Sequence, residues 1–175
     1  IKLFSSLNPF EFGKISYLHS QNDILAAGGK VKSLSVSLSV PFCENSVEKF
    51  YLEYFMEGIK SVSMKDNVII ESGHTFKTYE PGITLNMNGQ FDQQSQKDMA
   101  QEHDLIYLSK PLGTGYLLAA YYLNSPLLLS QDIQKLFNFL KLDNQFAYEA
   151  ARNNECISMT DISGFGLASH LGDIC

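Results

Sequence analysis

The stretch "KSLSVSLSV", Lys32 to Val40, alternates strictly, with Leu34, Val36, Leu38 and Val40 on one side and Ser33, Ser35, Ser37 and Ser39 on the other. A period of two predicts a strand with one apolar face and one of small polar groups. Pro41 ends it, and Asn45 with Glu48 forms a capping-box pattern that opens a helix. In that helix Val47, Phe50, Tyr51, Tyr54, Phe55, Gly58 and Ile59 recur at three- and four-residue spacing, an aromatic stripe read as core. After the "KDN" turn, "VIIESGHTF" and "GITLNMNGQF" predict two more strands. "FDQQSQKDMAQEHD", Phe91 to Asp104, reads as a polar loop, "LIYLS" as a buried strand, and "KPLGTG" as a glycine turn opening a helix over Tyr116 to Leu123. A long helix is expected from about Gln131 to Arg152, then a strand end at Ile157 to Met159 and a helix from near Phe165. The order is helix, strands, helix, strands, then mostly helix. It indicates an α/β or α+β architecture in two parts, 1–109 and 110–175.

Composition narrows the function classes. The net charge is −6 and the thirteen Lys and Arg are scattered, which argues against nucleic-acid binding. Apolar runs such as "LLAAYYL" are too short to span a bilayer, and no signal peptide is visible. Three widely spaced cysteines, Cys43, Cys156 and Cys175, fit neither a disulfide framework nor a zinc site, so a reducing, cytoplasmic setting is expected. The chain starts at Ile1 and stops at Cys175 inside a helix-like segment, so a fragment of a longer protein is expected.

The chemistry centres on "SMTDISGFGLASHL", where Asp161 precedes a turn built on Gly164 and Gly166. A helix start after such a turn attracts phosphate, whereas a carboxylate repels it unless a divalent cation bridges the two. Two readings are open for Asp161: a metal ligand, or, like Ser163, a helix cap.

Five ordered stretches resemble selenophosphate synthetase (selenide, water dikinase), of the aminoimidazole ribonucleotide synthetase superfamily. "NPFEFGKIS" is similar to D-P-x-D-F-G-R-I-A, "NDILAAGGK" to S-D-x-x-A-M-G-G-K, and "SGHTF" to G-G-H-S/T; "LSKPLGTGYLLAA" and "SMTDISGFGLASHL" complete the set. Asn144 also stands at the spacing before Asp161 where the family carries an asparagine. The resemblance implies an N-terminal ATP-binding domain whose strands pair across a homodimer, and a C-terminal α+β domain beginning at "KPLGTG". It implies conversion of ATP, selenide and water to selenophosphate, AMP and phosphate, with Mg²⁺ held between nucleotide phosphates and aspartates. Residue by residue, it makes Asp23 and Asp161 metal ligands and places Gly73, His74, Thr75 and Lys110 at the nucleotide. Each has a plainer role: Asp23 a helix or turn cap, His74 a backbone-bonding turn residue, Lys110 a solvated loop lysine, and the motif glycines a source of backbone geometry.

The pattern also departs from the family. Its glycine-rich segment with a catalytic cysteine or selenocysteine and a lysine has no counterpart in this chain, so no catalytic residue is assigned. "SSLN" at Ser5 to Asn8 replaces acidic residues, and His19 stands where the family has asparagine. Fewer carboxylates mean weaker Mg²⁺ binding. Two readings follow: part of a working selenophosphate synthetase, or a degenerate homologue serving dimerisation or attachment to a partner. A sister enzyme, such as a thiamine phosphate kinase or a hydrogenase maturation factor, fits the "KPLGTG" and "TDISGFG" pair less well.

Overall fold

The computed structural model describes residues 7–91, 95, 97–154 and 156–175. They form two compact units, Ile1–Ile24 with Gly29–Asp92, and Leu25–Gly28 with Gln93–Cys175.

The first unit opens with helix α1 (Pro9–Ala26). Asn8 caps it, its Oδ1 accepting the Glu11 N–H at 2.8 Å, and Pro9 supplies a first-turn residue that has no N–H to satisfy. Strand β1 (Gly29–Pro41) follows, then helix α2 (Asn45–Ser63) and strands β2 (Ile69–Thr78) and β3 (Gly82–Phe91). The sheet order is β2-β1-β3, with β2 parallel to β1 through the α2 crossover and β3 antiparallel to it. β1 is therefore central, and its Leu34, Val36, Leu38 and Val40 are buried as the alternation requires. Register carries the pattern across the sheet. Ser35 pairs with Ser72 and Asn86, Ser37 with His74 and Thr84, and Ser39 with Phe76 and Gly82, which makes one polar face.

α2 does not start with the expected capping box. Glu44 occupies the cap position without a side-chain hydrogen bond, and Glu48 instead pairs with Lys77 of β2. An ion pair to a neighbouring strand has displaced the local cap. The aromatic stripe also divides: Phe55, Gly58 and Ile59 are buried, whereas Val47, Phe50 and Tyr54 are exposed.

The second unit holds helices α3 (Thr114–Tyr122), α4 (Ser130–Leu140), α5 (Gln145–Asn153) and α6 (Gly166–Gly172). α3 packs on α4, with the Tyr121 and Phe137 rings 6.2 Å apart. Three expectations are corrected here. The long helix over Gln131 to Arg152 breaks between Leu140 and Gln145, where the Asp143 carboxylate accepts the Gln145 N–H at 2.9 Å and opens a new helix. Ile157 to Met159 is not a strand. Neither is "LIYLS": Leu105 to Leu108 are irregular and exposed, Leu105 by 78% and Tyr107 by 83%. Among the described residues no strand pairs with this segment, and an apolar run without a ladder partner cannot satisfy its backbone as a strand. The loop expected over Phe91 to Asp104 falls partly outside the described residues, as do Ser5 and Ser6.

Candidate functional site

In the first unit, Asp23 lies in the last turns of α1 with an exposed side chain, so it is inside a helix and not at a helix N-terminus. Gly73, His74 and Thr75 are consecutive in β2 and all exposed. Because strand residues alternate, they do not share a face. His74, opposite Ser37, stands on the polar face and stacks on the Phe76 ring at 6.3 Å between centroids. Gly73 and Thr75, opposite Val36 and Leu38, belong to the other face. All three lie on an edge strand, whose outward backbone groups are not used by the sheet.

In the second unit, Lys110 is half-buried and its Nζ donates to the carbonyl oxygen of Leu142, in the break between α4 and α5. Burial lowers the pKa of its ammonium, and the nearby Asp143 carboxylate opposes that shift. Lys110 thus ties a helix break as well as carrying charge. Gly113 stands at the N-cap of α3 with φ 109°, a conformation that favours glycine.

The Asp161 loop has the most informative geometry. α6 begins at Gly166 and its cap position is Phe165, so Asp161 lies four residues too early to cap it, and Ser163 does not cap it either. Ser163 is bound instead to His170, its N–H 3.2 Å and its Oγ 3.3 Å from His170 Nε2. On the other side of the ring, Nδ1 stands 3.3 Å from the Asp173 carboxylate. Gly166, at φ 77°, turns the chain back, and its N–H bonds the Ser163 carbonyl at 3.1 Å. Asp161 is half-exposed, and among the described residues its carboxylate takes part in no hydrogen bond or ion pair. A carboxylate with no structural partner is a hard oxygen donor open to a cation, the ligand type that Mg²⁺ takes. Among the described residues, no three His, Cys, Asp or Glu side chains gather as a preformed metal cluster. Asp23 in the first unit and Asp161 in the second are each carboxylates, the hard oxygen ligand type that Mg²⁺ takes.

Sequence reasoning overlooked the Ser163, His170 and Asp173 arrangement. Its signal was a histidine one helical turn after the last glycine of the motif, within reach of the serine that precedes the turn.

Comparison with known proteins agrees with this fold. A selenide, water dikinase from Shewanella sp. (strain ANA-3) is 29% identical over 170 residues, 96% of this chain and 47% of the relative. The chain spans about half the length of the curated relatives it matches. Among solved structures, thiamine-monophosphate kinase from Stenotrophomonas maltophilia K279a superposes with a TM-score of 0.74 at 19% identity, over 99% of this chain and 58% of that one. The AaThiL protein complexed with AMPPCP and TMP gives 0.68 at 19% identity, over 86% and 48%. Residues 1–90 match the family described as AIR synthase related protein, N-terminal domain, and the chain belongs to that family.

Proposed function

We propose that this chain is the nucleotide- and metal-handling part of an ATP-dependent phosphotransferase of the selenide, water dikinase type. The observation that carries the reading is the Asp161 carboxylate, which caps nothing and has no partner among the described residues. In this reading Asp161 is a ligand of Mg²⁺, which would supply charge neutralisation at the nucleotide phosphates, and Asp23 of the first unit is likewise a metal ligand. The β2 segment Gly73, His74 and Thr75 lies along the nucleotide, and Lys110 contributes positive charge. Selenide is the acceptor, water is consumed, and the products are selenophosphate, AMP and phosphate. The name of the Shewanella relative supports the acceptor, and the AMPPCP complex of AaThiL supports ATP. The polar sheet face supports a homodimer through the first unit. All three cysteines are free, which suits a cytoplasmic setting, and among the described residues no helix is long and apolar enough to cross a membrane.

A second reading, a non-catalytic homologue serving dimerisation or partner attachment, is favoured by the lack of a three-ligand cluster among the described residues. Calorimetric titration with Mg²⁺ and a non-hydrolysable ATP analogue separates the two. Metal-dependent binding that falls at least about tenfold in Asp161→Asn supports the enzyme reading. Equal binding by wild type and variant removes Asp161 from the site, and no binding by either leaves the non-catalytic module.

A further inference from the structure

We propose that His170 is a positioning residue: its Nε2 holds the loop that presents Asp161, so metal–nucleotide binding depends on a histidine that touches neither ligand. The inference rests on the metal reading of Asp161 and adds the group that fixes its direction.

A backbone N–H can only donate. The Ser163 N–H at 3.2 Å therefore requires a bare Nε2, which places the proton on Nδ1, the nitrogen 3.3 Å from Asp173 Oδ2. The loop amide thus selects the tautomer, for Nδ1, although close to Asp173, is buried without a hydrogen-bond partner among the described residues. Lys97 Nζ, 3.9 Å from the same Asp173 oxygen, is the other charged group in this chain of contacts. Burial separates His170 from its counterparts, since it is 8% exposed while His19, His74 and His103 are all exposed.

Ser163 is thereby held by its N–H to His170 and by its carbonyl to the Gly166 N–H. Asp161 is two residues upstream, and with no partner among the described residues its direction is inherited from the backbone. The arrangement is a buried imidazole that takes a loop amide at Nε2 and lies beside a carboxylate at Nδ1. Its Ser, His and Asp also follow the order of a hydrolytic relay. The Ser163 amide, however, already occupies the Nε2 lone pair that would take a hydroxyl proton.

The tautomer can be read without any variant, from ¹⁵N-imidazole NMR of the chain. One histidine, assigned by its loss in His170→Gln, is expected to carry its proton on Nδ1. In His170→Leu the Ser163 amide should exchange with solvent about tenfold faster, and Mg²⁺–ATP-analogue affinity should fall about tenfold or more. In His170→Gln, whose Oε1 can stand near the Nε2 position, both should return most of the way to wild type. An Nε2-protonated His170, or unchanged Ser163 exchange in the leucine variant, in a chain that does bind Mg²⁺–nucleotide overturns the inference alone. A wild-type chain that shows both signatures yet binds no Mg²⁺–nucleotide overturns the Asp161 reading, and the inference with it.

Discussion

Gly13 of α1 and Gly58 of α2 stand where the two helices touch backbone to backbone. A Cβ on Gly13 would lie 2.4 Å from the Phe55 carbonyl oxygen, and one on Gly58 would lie 2.0 Å from that of Phe10. The two glycines let the helices approach until the buried rings of Phe12 and Phe55 meet at 5.6 Å between centroids. Neither obstacle is a flexible side chain, so neither can swing away.

Gly58→Ala and Gly13→Ala should therefore destabilise the first unit by about 1–3 kcal/mol each, despite alanine's better helix propensity. Gly115→Ala is the control: Gly115 lies in α3 with nothing within 4 Å of a new Cβ, and the change should stabilise by up to about 1 kcal/mol. Urea midpoints of the three variants check the sign. A neutral Gly58→Ala would show that the helices separate at little cost.

Tyr17 predicts an alkaline weakness. Its ring is fully buried and its hydroxyl donates to Asp66 Oδ2 at 3.4 Å, an oxygen that also accepts from Gln21 Nε2 at 2.9 Å. Burial, and then the Asp66 charge, raise its pKa above the usual value near 10. The folded phenol stays neutral where the unfolded one ionises, so its stabilising contribution is complete below about pH 10 and is lost as pH climbs from there toward the folded value. Tyr17→Phe should cost about 1 kcal/mol at neutral pH and flatten the alkaline decline. Lys110, whose folded pKa is lowered, acts with the opposite sign: stability rises with pH between its folded and unfolded values. Stability curves in a Lys110→Met background isolate the tyrosine.

What the sequence disclosed depended on where the determining contacts lay. β1 was legible because its alternation is local, and β3 because Ile83, Leu85 and Met87 repeat it. The helix break after Leu140 was not, because the apolar spacing resumes at Phe146 and only a side-chain bond at Asp143 marks the new start. The Glu48 capping box and the "LIYLS" strand failed for one reason: their outcome is decided by a strand partner, present for Glu48 in Lys77 and absent among the described residues for Leu105 to Leu108. For the site, Asp161 and the glycine turn could be read from spacing, whereas the Ser163–His170 bond needed the turn at Gly166.

The exposed run Leu105, Ile106, Tyr107 and Leu108 should make the chain bind a hydrophobic dye such as ANS. Replacing Leu105 and Tyr107 by serine should lower the fluorescence at least about twofold without moving the unfolding midpoint, because exposed side chains contribute little to folding. Dye binding unchanged by the double variant would place the apolar surface elsewhere.

The polar face of the sheet yields the assembly prediction. Ser37 lies at its centre, between His74 and Thr84 in register, and Ser35, Ser37, Ser39, Thr84 and Asn86 leave a surface of short groups bordered on β2 by the stacked His74 and Phe76 rings. Short side chains let a second sheet approach closely, and serine, threonine and asparagine can hydrogen-bond across the gap. A stable interface needs about 1,000 Å² or more, so a homodimer built here has to cover most of this face and cannot avoid its middle. Ser37→Arg should then convert the dimer to monomer, as read by light scattering across the micromolar range. It should leave the monomer fold intact, because Ser37 is half-exposed and points away from the buried Leu34, Val36 and Leu38. Glu53→Gln, the same gain of one positive charge on an exposed position of α2, is the matched charge control and should leave the mass unchanged. A wild-type chain that is monomeric throughout that range refutes the dimer; a Ser37→Arg variant that stays dimeric with unchanged circular dichroism moves the interface off this face and onto a sheet edge, where β2 is open.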